Sequence, residues 1–351
     1  MANLLKIGIT HGDINGVSYE IILKAFSNPR MLELCIPIIY GSPKVIAFYR
    51  KMFDFNINFS IVHSAAEANS KRLYVVNCCP DEIKVEVGKQ TAEAGKYALN
   101  ALETAAADWK TGVIDAMVTA PINKSTIQSD KFHFPGHTEY LESAAGGQSI
   151  MILLANSVRV ALTTNHVPVQ KISYYLTKEL IVKKLKVLNK SLVQDFSITC
   201  PRIAVLGLNP HSSDNGLLGD EEEKIIKPAI DEANYQGITC TGPLSADGFW
   251  GSGAFANYDA ILAMYHDQGL SPFKALFQDL GVNYTAGLPF VRTSPAHGTA
   301  YNLAGKNIAN PSSFLQAVYL AIDVVKNRAR HKEASANPLK VEKHRQNSDV
   351  I

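Results

Sequence analysis

Along most of the chain, short apolar runs alternate with longer stretches in which apolar positions recur every three or four residues. The short runs suit buried strands and the longer ones suit helices that cover them, so the alternation predicts an α/β fold. Strands are expected from Leu5 to Ile9, Ile36 to Tyr40, Val113 to Val118, Ile150 to Leu154, Val158 to Leu162, Ile203 to Leu206 and Ala260 to Met264. Between them, Thr91 to Trp109 places Ala94, Tyr97, Ala98, Ala101, Leu102 and Ala105 on one helical face, and Leu180 to Val193 and Glu221 to Tyr235 repeat that arrangement. No internal repeat or low-complexity linker interrupts the pattern, so any domain boundary falls in an ordinary loop. After Arg328, Lys, Glu, His, Asn and Ser dominate, which predicts a solvated or frayed tail.

Composition narrows the partners. The 351 residues suit two domains better than one. With 34 basic and 32 acidic residues there is no strong uniform field to attract nucleic acid or an anionic membrane. No apolar run approaches the roughly 20 residues that a membrane span requires. Five cysteines include the adjacent Cys78 and Cys79 and no Cys-x-x-Cys, which argues against a disulfide framework or a thiolate zinc site. Met1 to Lys6 hold no long apolar signal core. The expectation is a cytoplasmic protein.

Candidate chemistry follows the strand-like runs. Thr119-Ala120-Pro121-Ile122-Asn123-Lys124, Thr164-Asn165-His166, Asn209-Pro210-His211 and Tyr265-His266-Asp267-Gln268-Gly269 each begin where an apolar run stops. Ligands gather at the carboxyl ends of parallel strands, so these segments are candidates to converge. Three imidazoles would leave coordination positions open on a zinc-like ion, which makes His166, His211 and His266 a candidate metal set. No helical spacing links them, and each also reads as an ordinary hydrogen-bonded loop histidine. Asp247 and Asp267 either orient such ligands and accept a proton or simply cap turns. His11 and His133 flank glycine- or proline-containing loops and stay undecided.

Two groups suit an anion. In Gly136-His137-Thr138-Glu139 the Thr138 hydroxyl precedes an apolar helical pattern, as an anion site or as a plain N-cap. Lys274, Asn283 and Arg292 combine a point charge with a planar fork, which fits phosphate or carboxylate, although surface salt bridges would use the same residues. Gly12-Asp13-Ile14-Asn15-Gly16 lacks Gly-x-Gly-x-x-Gly spacing and is not an ordinary dinucleotide fingerprint. The better cofactor candidate is His297-Gly298-Thr299-Ala300, followed by a second glycine-containing stretch ending in Asn310-Pro311 and a final helix.

That loop resembles the isocitrate and isopropylmalate dehydrogenase superfamily. Gly136 to Glu139, Gly207-Leu208-Asn209-Pro210-His211, Met264 to Leu270 and Gly287 to Pro295 resemble one branch of it, the 4-hydroxythreonine-4-phosphate dehydrogenase family. The likeness spans Ile7 to about Lys326. It implies two α/β/α domains with a cleft between them: 1–137 plus 295–330 carrying both termini, 138–294 carrying dimer contacts, and a polar tail at 331–351. It implies one divalent ion, zinc, magnesium or cobalt, on His166, His211 and His266, with His266 supplied by the second subunit of a homodimer. Substrate contacts carried over are His137, Thr138, Lys274, Asn283 and Arg292. NAD or NADP would lie against His297, Gly298, Thr299, Ala300 and Asn310, with Asp247 and Asp267 as candidates for proton transfer.

The implied activity is metal-dependent oxidation of 4-hydroxythreonine 4-phosphate to a 3-keto acid that decarboxylates to 3-amino-2-oxopropyl phosphate. This step belongs to pyridoxal phosphate (vitamin B6) biosynthesis, with a pyridoxine-phosphate synthase consuming the product. The rivals are a paralogous dehydrogenase of phosphothreonate or erythronate phosphate, a metal-dependent phospho-sugar aldolase or hydrolase, and a noncatalytic phosphometabolite-binding protein. The chain departs from the family pattern at Gly12 to Glu20, which loses two prolines and a glycine, and at Ser245, Ala296 and Asn302.

Overall fold

The computed structural model describes residues 4–128, 134, 140, 142–143, 146 and 148–337. Within them lie the strands β1 (Leu5–Thr10), β2 (Cys35–Gly41), β3 (Phe59–Val62), β4 (Leu73–Asn77), β5 (Ala116–Thr119) and β6 (Ile150–Ala155). They are followed by β7 (Val158–Leu162), β8 (Ile203–Leu206), β9 (Cys240–Leu244), β10 (Ala260–Ala263), β11 (Val282–Ala286) and β12 (Val291–Pro295). All join one sheet in the order β3-β4-β2-β1-β5-β12-β11-β6-β7-β10-β8-β9. β2, β5, β6, β8 and β10 are buried along their whole length, as their unbroken apolar character requires.

The sheet consists of two parallel wings. β3 through β12 run one way, β7 through β9 run the other, and antiparallel pairings of β12 with β11, β11 with β6 and β6 with β7 join them. Because side chains alternate faces along a strand, register decides what the junction presents. Asn283 on β11 lies between Ser294 on β12 and Leu153 on β6, and Thr285 stands beside Met151. Polar side chains of β11 and β12 therefore lie at the middle of the sheet, flanked by apolar residues of β6.

Helices cover the wings by burying one stripe each. The helix Ala92–Lys110 buries Ala94, Ala98, Ala101, Leu102 and Ala105, and its start is capped by Thr91 accepting from the Ala94 N–H. The helix Ser312–Ser335 buries Phe314, Ala317, Val318, Ala321, Ile322 and Val324. Beyond Arg328, where the sequence predicts a solvated or frayed tail, 329–337 are exposed but the chain stays helical to Ser335. The expected helix from Glu221 starts instead with a π turn, Glu222–Ile226, before the α-helix Lys227–Tyr235. No described helix is long and apolar enough to cross a membrane.

β11 and β12 escape the apolar pattern because they carry Thr, Arg and Ser at buried positions and Asn283 at a half-buried one. Two of them are satisfied locally: the Thr293 hydroxyl donates to the Ala317 carbonyl at 2.7 Å, and Arg292 donates to threonine hydroxyls.

Candidate active site

Over the junction lies a cleft lined by Lys124, His166, His266, Lys274, Asn283, Arg292, Ser294, His297 and Gly298, among others. Arg292 is 2% exposed and forms part of the floor. Its Nε and Nη2 donate to the Thr119 hydroxyl at 3.1 and 2.7 Å, and Nη1 donates to Thr285 Oγ1 at 3.2 Å. β5 and β11 thus fix the guanidinium plane from both sides. Beside it, Asn283 Oδ1 is buried without a hydrogen-bond partner among the described residues, as is His297 Nε2. Buried acceptors are rarely left unmade, so both atoms suit a ligand group.

His166 and His266 come together because β7 and β10 are neighbours that end side by side. The Thr163 and Thr164 N–H groups donate to the Ala263 and Met264 carbonyls, and the Thr164 hydroxyl donates again to Met264 O at 2.7 Å. The two imidazole centroids are 5.9 Å apart. His266 opens the helix His266–Phe277, which also carries Lys274, and its Nδ1 is hydrogen-bonded to Asp267 Oδ1 at 2.7 Å. Asp267 therefore contacts the neighbouring ring, a contact open to an orienting role, to proton transfer, or to neither. Lys124 Nζ stands 3.4 Å from His166 Nε2. An ammonium only donates, so that nitrogen accepts.

His211 and Asp247 sit elsewhere, in an adjoining cleft with Asn209, Tyr265 and Gln268. The Ser245 hydroxyl donates to Asp247 at 2.6 Å, and this bond, helped by the Gly248 N–H, holds the carboxyl below its usual range. Among the described residues no group of three His, Cys, Asp or Glu side chains is gathered closely enough to hold a metal. Within one chain the close pair is His166 with His266, whereas the resemblance implied that His266 belongs with the other subunit. His137 and Thr138 lie outside the described residues.

The expected cofactor segment divides. His297 and Gly298 line the cleft, and burial lowers the His297 pKa against its hydrogen bond to the Gly298 carbonyl. Thr299 lies behind them, its carbonyl accepting from the Val17 N–H at 3.0 Å, and Ala300 has a left-handed φ of 45°. Asn310 is exposed and accepts from the Ser312 N–H at the start of the last helix.

The loop Gly12 to Glu20 keeps a defined conformation without the family's prolines. Gly12 has φ 66°, and a Cβ there would lie 2.4 Å from the Pro121 carbonyl. Asp13, fully buried, accepts from the Asn15 N–H at 2.8 Å and from the Tyr301 hydroxyl at 2.5 Å. Burial pushes its carboxyl above the usual range, and these bonds pull it back. This loop therefore buttresses Thr299 and Tyr301.

Lys124, Thr119, Thr285 and Ser294 were not picked out individually from the sequence. Lys124 carried the same signal as the histidines, a polar residue just past an apolar strand. Thr119 opens the segment that Lys124 closes, while Thr285 and Ser294 lie within strands and carry no such signal.

The fold is thus an α/β scaffold whose central cleft collects imidazoles, lysines, a buried arginine and a glycine-containing loop. The family profile described as pyridoxal phosphate biosynthetic protein PdxA matches residues 33–321. The chain belongs to that family. It is 60% identical over 349 residues to the 4-hydroxythreonine-4-phosphate dehydrogenase of Bacteroides thetaiotaomicron, covering 99% of this chain and 96% of that one. It is 36% identical to a provisionally named D-threonate 4-phosphate dehydrogenase of Oceanobacillus iheyensis, covering 91% and 97%. The solved 4-hydroxythreonine-4-phosphate dehydrogenase of Klebsiella pneumoniae superposes with a TM-score of 0.78 at 32% identity, covering 92% of this chain and 98% of that one.

Proposed function

We propose that the chain is a 4-hydroxythreonine-4-phosphate dehydrogenase, which oxidises the substrate's secondary alcohol with NAD or NADP and a divalent ion in pyridoxal phosphate biosynthesis. The observation that carries this reading is the convergence of Arg292, Lys274 and Asn283 with His166 and His266 in one cleft. Arg292 and Lys274 bind the phosphate; Thr119 and Thr285 already hold the guanidinium, so little freedom is lost when the anion arrives. Asn283 Oδ1 accepts from an N–H or O–H of the substrate.

His166 and His266 fit a divalent ion as imidazole donors, with Asp267 orienting His266. Zinc, magnesium or cobalt bound there would lower the pKa of the alcohol. A nicotinamide bound along His297, Gly298 and Thr299 would take the hydride, and Gly16 lets that segment pack tightly on the first loop. The oxidised product is a 3-keto acid, which loses carbon dioxide to give 3-amino-2-oxopropyl phosphate for a pyridoxine-phosphate synthase.

Two copies complete the site, with His211 of the partner subunit joining His166 and His266. Refolding inactive His166→Ala and His211→Ala chains together should restore about a quarter of the activity by random pairing into dimers. The pair His166→Ala and His266→Ala should restore none, and the reverse outcome would assign His266 to the partner.

The activity itself is tested by reduced-nicotinamide absorbance with 4-hydroxythreonine 4-phosphate. Turnover should vanish on chelation and return with zinc, magnesium or cobalt. Full turnover in metal-free protein would remove the ion from the account.

A further inference from the structure

Glu222 lies at the start of the π turn, outside the main cleft, yet it is fully buried. Its Oε1 accepts from the Leu208 and Asn209 N–H groups at 2.8 and 2.7 Å, and its Oε2 accepts from Asn209 Nδ2 at 2.9 Å. These are the residues that lead into His211. From His211 the backbone runs through five consecutive non-glycine residues with positive φ: His211 at 52°, Ser212 at 54°, Ser213 at 69°, Asp214 at 46° and Asn215 at 55°. Each such residue is unfavourable, so a run of five persists only where its surroundings over-determine it.

A second tie runs from the His266 side. Gln268 donates from Nε2 to the Gly207 carbonyl at 2.5 Å and accepts at Oε1 from the Met264 N–H at 2.7 Å. Gly207 also makes room for the clamp, since a Cβ there would sit 3.1 Å from Glu222 Oε1 and 2.6 Å from the Ser212 hydroxyl. One amide thus couples the strand end before His266 to the strand end before His211, and one carboxylate closes the loop from below.

We propose that Glu222 is a positioning residue for His211, holding the left-handed segment in the one conformation that presents the imidazole to a divalent ion. The inference rests on the reading of His211 as a metal ligand. The π turn explains how Glu222 takes this role from within the acidic run Asp220 to Glu223, which by itself reads as a solvated face. One extra residue in the turn shifts the register that a plain α-helix would give.

The test is a titration of the metal-free, full-length protein with Co²⁺, followed by its visible absorbance, with no substrate or cofactor present. Glu222→Gln replaces one acceptor oxygen by a donor and should weaken Co²⁺ binding 10- to 100-fold, the usual effect of removing a group that supports a ligand. Asn209→Ala, which removes the side-chain bonds to Glu222 and to Glu221 Oε2 (2.8 Å) but keeps both backbone donors, should weaken it several-fold and serves if the first variant fails to fold. Inorganic phosphate binding in the Arg292 cleft should be unchanged in both. His211→Ala separates the two ideas. If Co²⁺ binds that variant as it binds wild type, the ligand reading falls; if His211→Ala weakens binding while folded Glu222→Gln and Asn209→Ala stay within twofold of wild type, the positioning role alone is overturned.

Discussion

Lys124 Nζ and His166 Nε2 stand 3.4 Å apart across 42 residues of sequence, and both line the cleft that holds Arg292. Lys124 therefore brings a cation to the imidazole side of the cleft, where the carboxylate of a phosphorylated hydroxy amino acid would need one. Lys124→Met keeps the stem and deletes the charge. It should raise KM for 4-hydroxythreonine 4-phosphate about tenfold, the order expected for one charge-assisted hydrogen bond. Unchanged steady-state constants would rule out contact with substrate.

Lys274 and Arg292 should separate binding from stability. Lys274 is exposed, so Lys274→Ala should lower kcat/KM for the phosphorylated substrate while the melting temperature stays put. Arg292→Ala should lower both, because it removes the guanidinium's hydrogen bonds to the buried Thr119 and Thr285 hydroxyls, at about 1–3 kcal/mol for lost buried bonds. Arg292→Lys should recover little, since a lysine cannot reproduce the fork that spans β5 and β11. Wild-type kinetics in both alanine variants would remove these residues from the anion site.

Gly16 links the first loop to the cofactor segment. A Cβ at this position would meet the Thr299 carbonyl oxygen at 2.6 Å, so Gly16→Ala must push the two loops apart, at roughly 1–3 kcal/mol for overpacking. Its KM for NAD or NADP should rise while phosphate binding, measured without cofactor, is unaffected. An unchanged cofactor KM would dissociate Thr299 from the nicotinamide site.

The wings were legible in the sequence where strands are buried on both faces, as in β1, β2, β5, β6, β7, β8 and β10, because nothing but an apolar run satisfies such positions. β11 and β12 were not, since their buried Thr285, Arg292 and Thr293 depend on partners that only the folded sheet supplies. The convergence of His166 with His266 followed from both sitting just past a strand. The separation of His211 from that pair did not, because it depends on β10 lying between β7 and β8 and on a left-handed loop that no spacing announces. Glu222 was hidden for the same reason.

His11 gives the fold an acid sensitivity with a defined window. It is fully buried, its Nε2 donates to the Tyr97 carbonyl at 3.0 Å, and Nδ1 accepts from the Tyr19 hydroxyl at 3.0 Å. Burial lowers its pKa from 6.5 to about 4. The unfolded chain therefore binds the proton first as pH falls, and stability present above pH 6.5 is lost progressively down to about pH 4, by roughly 3 kcal/mol in all. Denaturant midpoints measured from pH 7.5 to 4.5 should fall more steeply for wild type than for His11→Gln, which cannot titrate. Parallel slopes would exclude His11 as the source.

On this reading the cleft oxidises a phosphorylated hydroxy amino acid rather than a phosphorylated sugar acid. The most direct measurement is kcat/KM by reduced-nicotinamide absorbance, with 4-hydroxythreonine 4-phosphate and D-threonate 4-phosphate compared in the same buffer, metal and cofactor. A clear preference for the amino acid is expected, with 3-amino-2-oxopropyl phosphate and carbon dioxide as products. Preference for D-threonate 4-phosphate, or no reduction of either nicotinamide cofactor with the amino acid in the presence of zinc, magnesium or cobalt, would contradict it.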